Sequence, residues 1–192
     1  MTNRTLCLAV AFTATLLVGW LPGTSSGARG HSSPVGAWFA TSTITTPALP
    51  IPLQRLITVH ADGTFLSSDV DDFGSIGMDI QSDLNSPIQG AWVKSGRRSF
   101  AFTGLCFVFD RTSGDPIATG KVTANVAFPH QRRGKHAPQV SDDVLEGSFS
   151  AVRFRLDQDP LDPSAKPVEG SFKEGVISLQ RIRARPRVRG QR

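Results

Sequence analysis

The chain is predicted to be all-β: a single antiparallel barrel of about eight strands, joined as an up-and-down meander and preceded by an N-terminal signal helix. Three observations point there. Short apolar runs alternate with turn residues, and periodicity at 3.6 residues is weak. Phe is frequent, with 12 in the chain, while Tyr is absent. Val122, Ala124, Val126 and Phe128 interleave with Lys121, Thr123 and Asn125, the alternation of a half-buried antiparallel strand.

The elements follow in order. Arg4 charges the first residues, and Leu6 to Leu21 carries no charged side chain. Pro22-Gly23 and the small residues Thr24 to Ala28 follow. Charged, apolar and then small is the order of a cleavable signal peptide, expected over 1–28 with cleavage after Ala28. The apolar run is shorter than the roughly 20 residues a spanning helix needs. The expected localisation is therefore secreted. Residues 29–33 read as a linker, 34–184 as the barrel domain, and 185–192 as an Arg-rich tail.

The first strand is expected over Val35 to Thr45, ended by Pro47 and Pro50, and the second over Gln54 to His60. Ala61-Asp62-Gly63 is a hairpin turn in which Gly63 supplies positive φ. A third strand starts at Thr64 to Ser67. Residues 68–86 form the longest stretch without strand character. The fourth strand is Ile88 to Lys94 and the fifth Arg98 to Asp110. Phe100 and Phe102 share one phase in the fifth strand; Leu105, Phe107 and Phe109 share the other. A β-bulge at Thr103-Gly104 would bring both sets inside. The sixth strand holds the alternation around Val122 to Phe128. In the seventh, Val152, Phe154 and Leu156 oppose Arg153, Arg155 and Asp157. The eighth runs from about Val168 to Ile182, with a bulge expected at Gly175. Closing such a meander removes exposed edges. Two short echoes fit a repetitive layout: Gly36-Ala37-Trp38 with Gly90-Ala91-Trp92, and Glu146-Gly147-Ser148-Phe149 with Glu169-Gly170-Ser171-Phe172.

Gly36-Ala37-Trp38 opening the first strand, an arginine closing the last (Arg181 or Arg183), and the eight-strand meander together resemble the calycins, the lipocalin-type barrels. The resemblance implies that Trp38 packs under that arginine in a cation–π contact at the closed barrel end. The segment Leu56 to Phe65, followed by Gly90-Ala91-Trp92, also resembles small exported bacterial proteins with no assigned activity. The residues expected to serve structure are Trp38, Arg183, Gly63 and Gly104.

Charge is uneven along the chain. The formal net charge is +5, yet residues 29 to 180 hold 14 basic against 16 acidic side chains. The basic character belongs to Arg181, Arg183, Arg185, Arg187, Arg189 and Arg192. No specific nucleic-acid face is expected on the body. Arg185, Arg187 and Arg189 could engage an anionic surface. Cys106, flanked by Leu105, Phe107, Val108 and Phe109, is expected to be a buried thiol, since Cys7 leaves with the signal.

No catalytic residues, metal ligands or cofactor are assigned. His130 and His136 lie six apart without a carboxylate or thiol among them. Asp69, Asp71, Asp72 and Gly74 echo a calcium loop, but Ile80 stands where its closing carboxylate belongs. His60 with Asp62 reads as a strand end and a turn. Phosphate loops, dinucleotide fingerprints and Gly-x-Ser-x-Gly are absent. The expected role is a module binding a small apolar ligand, with Phe65, Phe102, Phe109, Phe128 and Phe154 as interior candidates. A cyclase- or isomerase-type barrel enzyme and a surface protein using its tail are the alternatives.

Overall fold

The computed structural model describes residues 32–46, 52–69, 83–129 and 142–184. The signal peptide, residues 29–31, the calcium-like loop beyond Asp69, His130, His136 and the tail lie outside them. Among the described residues nine strands form, in order: β1 (Gly36–Thr46), β2 (Pro52–Val59), β3 (Thr64–Asp69), β4 (Asp83–Asn85), β5 (Ile88–Lys94), β6 (Ser99–Asp110), β7 (Pro116–Ala127), β8 (Val144–Phe154) and β9 (Lys173–Arg181). Eight of them close a continuous antiparallel barrel, β1-β2-β3-β5-β6-β7-β8-β9 and back to β1. The ninth, β4, pairs only with the end of β6, through Leu84 opposite Phe109.

The barrel is an up-and-down meander because strands that follow one another in the barrel's chain order are also hydrogen-bonded neighbours. The β2–β3 turn shows how the sequence encodes this. Gly63 takes a φ of 90°, which an L side chain rarely adopts. Asp62 Oδ1 accepts hydrogen bonds from the amide and the hydroxyl of Thr64 at 2.9 and 2.7 Å. The Thr64 bonds hold the Asp62 carboxyl below the usual carboxylate range.

Alternation sorts the side chains. Trp38, Ala40, Ser42 and Ile44 of β1 are buried, as are Phe100, Phe102 and Val108 of β6 and Leu145 and Phe149 of β8. The opposite phase mixes Thr, Ser, Gln and Glu with exposed Phe39, Leu56, Leu66, Val93, Phe107, Ile117 and Val176.

Glycines let the strands coil tightly enough to close. A Cβ on Gly90 would lie 2.1 Å from the Thr103 carbonyl oxygen, and one on Gly147 would lie 1.9 Å from that of Asn125. Aromatic rings cover the gaps: atoms of the Phe65 ring stand 2.6 and 2.8 Å from where the Cβ atoms of Gly90 and Gly104 would be.

Four expectations are corrected. No bulge interrupts Thr103-Gly104; pairing with β5 and β7 runs straight through, and the shift in β6 falls between Val108 and Phe109. Phe107 and Phe109 therefore stay on the outer face, 6.4 Å apart, with Phe107 54% exposed. The phase of β8 is also inverted. Leu145 and Phe149 point inward, so Arg153 shares the inner phase and Phe154 the outer. The last strand starts at Lys173 rather than Val168, and its irregularity lies between Ile44 and Thr46 of β1, opposite Gly175. Finally, the 68–86 stretch contributes the end of β3 and all of β4.

Candidate functional site

The barrel has two unlike ends. One is plugged by aromatic rings. Trp38 is fully buried, and Phe128 lies 6.4 Å from it. Phe100 contacts Phe128 edge-on at 5.8 Å, and Trp92 contacts Phe100 at 5.9 Å. Both indoles satisfy their N–H on backbone oxygens, Trp38 on Pro34 at 2.7 Å and Trp92 on His60 at 2.9 Å. The echoed Gly-Ala-Trp triplets thus place two tryptophans at the same end.

An arginine bolts this plug. The Arg181 guanidinium stands 4.2 Å over the Trp38 ring. Its Nη1 donates to Val35 O at 2.6 Å and its Nη2 to Ser33 O at 2.8 Å. Gly36 makes room: its φ is 135°, and a Cβ there would lie 2.7 Å from Arg181 Nη1. Gly-x-Trp and the terminal arginine are one device. Burial pulls the Arg181 pKa down, while Asp143 opposes that shift. Arg183, the other candidate for this contact, is exposed and pairs with Asp143 at 2.5 Å.

The opposite end has no aromatic plug among the described residues. Inward positions on β6 and β7 there are Cys106, Val108, Ala118 and Gly120, none of them aromatic. Arg153, on the same inner phase two strands on, pairs with Asp83 of β4 at 2.6 Å. Cys106 is only partly buried, with its sulfur 2.7 Å from where a Cβ on Gly120 would sit. The 155–172 connection packs outside this end: Lys121 Nζ donates to Pro160 O at 3.0 Å, and the Val168 amide donates to Arg153 O at 2.8 Å.

Between the plug and this end lies an interior cavity of about 50 Å³. Ile57, Phe65, Ile88, Phe102, Val122, Ala124, Val126, Phe149, Ile177 and Leu179 form its apolar wall. Ser42, Arg55 and Ser67, from β1, β2 and β3, form a polar strip facing that wall. Ser42 and Ser67 are 1% and 3% exposed, and Arg55 is half-buried with its guanidinium 5.9 Å from the Phe149 ring centroid.

The sequence-derived interior candidates divide accordingly. Phe65 and Phe102 line the cavity, edge to face at 5.3 Å. Phe128 belongs to the plug. Phe109 and Phe154 lie on the outer phase, although Phe154 is buried. Alternation alone missed Ser42, Arg55 and Ser67, because polar residues in strands are read as outward. The signal that could have found them is spacing from an apolar anchor on the same strand: Ser67 sits two residues after Phe65, and Arg55 two before Ile57.

No histidine or carboxylate lines the cavity among the described residues. His60 is exposed at the plugged end, and Asp62 beside it is committed to Thr64. No cluster of three or more His, Cys, Asp or Glu side chains occurs among the described residues. Compared with known proteins, the chain matches no family model, no curated protein and no solved structure.

Proposed function

We propose that this chain is an exported, calycin-like, non-catalytic module that binds a small, mostly apolar ligand inside its barrel. The observation that carries the reading is the cavity of about 50 Å³ below the aromatic plug, with apolar side chains around most of its wall. Export rests on the charged, apolar and small-residue order of residues 1–28. The calycin comparison rests on the Trp38–Arg181 stack at one barrel end.

Size restricts the ligand. A dry cavity of roughly 150 Å³ accepts a benzene ring, so a space about a third of that takes a few heavy atoms. The ligand is a small molecule, or one end of a longer one entering from the side of Arg55. The test is a methyl-detected NMR titration with probes of graded size, from dichloromethane to benzene. The smaller probes should shift Ile57, Ile88, Val126 and Ile177 saturably. Ala124→Leu, which fills the space, should abolish the shifts. No shift with any probe would overturn the reading.

A further inference from the structure

Ser67 lines the cavity with a hydroxyl that the fold does not satisfy. The residue is 3% exposed, and its Oγ has no hydrogen-bond partner among the described residues. Strand pairing explains why. Ser67 stands opposite Ile57 on β2 and Ile88 on β5, and both isoleucines are buried. Neither neighbouring strand therefore sets a polar side chain beside it. Phe65, two residues earlier on the same face of β3, is apolar as well. An unpaired buried hydroxyl costs free energy, and the side of Ser67 that stays open is the cavity.

The rest of the polar strip is occupied. Ser42 Oγ donates to Leu53 O at 3.5 Å. Arg55 is engaged by other groups of the chain, and Asp69 is its register partner across β2 and β3. Its charge is thus not available to balance an ion in the cavity. A charged group would leave water without a counter-charge, which costs far more than burying a neutral oxygen. We infer that the ligand is neutral and carries one oxygen, of a carbonyl or a hydroxyl, that accepts a hydrogen bond from Ser67 Oγ. Its carbon atoms rest on Ile57, Phe65, Ile88 and Phe102. This rests on the binding reading above and names the chemistry of the same cavity. A ketone or alcohol of a few heavy atoms is on the scale of about 50 Å³.

The test is an NMR titration of the full chain with acetone, 2-propanol, isobutene and acetate, repeated on Ser67→Ala. The probes are close in size. Acetone carries the carbonyl, 2-propanol the hydroxyl, isobutene no oxygen and acetate a charge. Ser67→Ala should weaken acetone, 2-propanol or both about fivefold, and leave isobutene unchanged or slightly tighter. In the parent chain acetate should bind at least about tenfold more weakly than the better of the two neutral oxygen probes. Ser67→Ala removes a hydroxyl without a partner, so its melting temperature should match or exceed that of the parent chain. The inference is overturned if neither oxygen probe loses more affinity than isobutene, if acetate binds as tightly as they do, or if the variant melts lower. Binding of isobutene alone rejects the neutral oxygen and leaves the cavity reading standing. No binding by any probe rejects the cavity reading itself.

Discussion

Replacing Arg181 with Ala should destabilise the barrel by about 3 kcal/mol. The figure comes from what the guanidinium touches. It donates to Val35 O at 2.6 Å and Ser33 O at 2.8 Å. Bonds from a charged donor contribute roughly 1.5–3 kcal/mol, but this side chain is 21% exposed, so about 1 kcal/mol each is the fitting value. The stack on Trp38 at 4.2 Å adds about 1 kcal/mol. Urea unfolding of the parent and variant chains measures the difference directly. In a chain of this size the loss corresponds to a drop in melting temperature of roughly 9 °C. Arg183→Ala is the control. Its side chain is 70% exposed and its ion pair lies at the surface, so the change should stay within about 0.5 kcal/mol. Arg181→Lys should lose most of the effect too, because an ammonium cannot span both carbonyls and the ring. An Arg181→Ala variant within about 0.5 kcal/mol of the parent would refute the bolt.

Further expectations follow from the same geometry. Gly90→Ala should cost several kcal/mol, roughly 3 or more, since its Cβ would meet the Thr103 carbonyl at 2.1 Å; calorimetry would show the lowered transition. Phe100→Ala should cost about 3–5 kcal/mol in urea unfolding while Phe107→Ala stays near neutral, and equal losses would mean that the phase of β6 is wrong. Thr64 holds the Asp62 carboxyl below its ordinary value, and the Ser113 and Thr112 amides do the same for Asp110. A depressed carboxyl stabilises the fold above its unfolded pKa and ceases to do so as pH falls through the folded value. Stability should therefore be flat near neutrality with respect to these groups and decline only below about pH 4. Asp62→Asn should blunt that decline in a pH series of thermal melts.

The sequence made the meander legible because turns and alternation are local. Gly63 and Asp62 encode their hairpin within four residues, and Val122 to Phe128 alternates without a break. Strand phase was harder. In β6 large apolar residues stand on both faces, so Phe100 and Phe107 carry the same signal on opposite sides. Only pairing with β5 and β7 tells them apart. In β8 the valine and phenylalanine at 152 and 154 mimic an inward phase, but Phe149 and Leu145 take the interior because they oppose Gly175 and Leu179. Phe154 instead lies on the outer phase, on the side where Pro160 meets Lys121. The polar strip stayed hidden for a related reason. A serine at an inward position reads as solvent-facing until the register places Ser67 opposite Ile57 and Ile88. The Trp–Arg stack was the part of the architecture that a short motif could suggest, although only the structure selects Arg181 over Arg183.

The proposed binding role requires a dry space inside the closed barrel. Crystals of the chain pressurised with xenon test it most directly, because apolar cavities take up xenon and stay free of ordered water. One xenon site is expected among Ile57, Phe65, Phe102 and Phe149, and its loss in Ala124→Leu. A barrel interior with no xenon, or one filled by ordered water across the apolar wall, would contradict it.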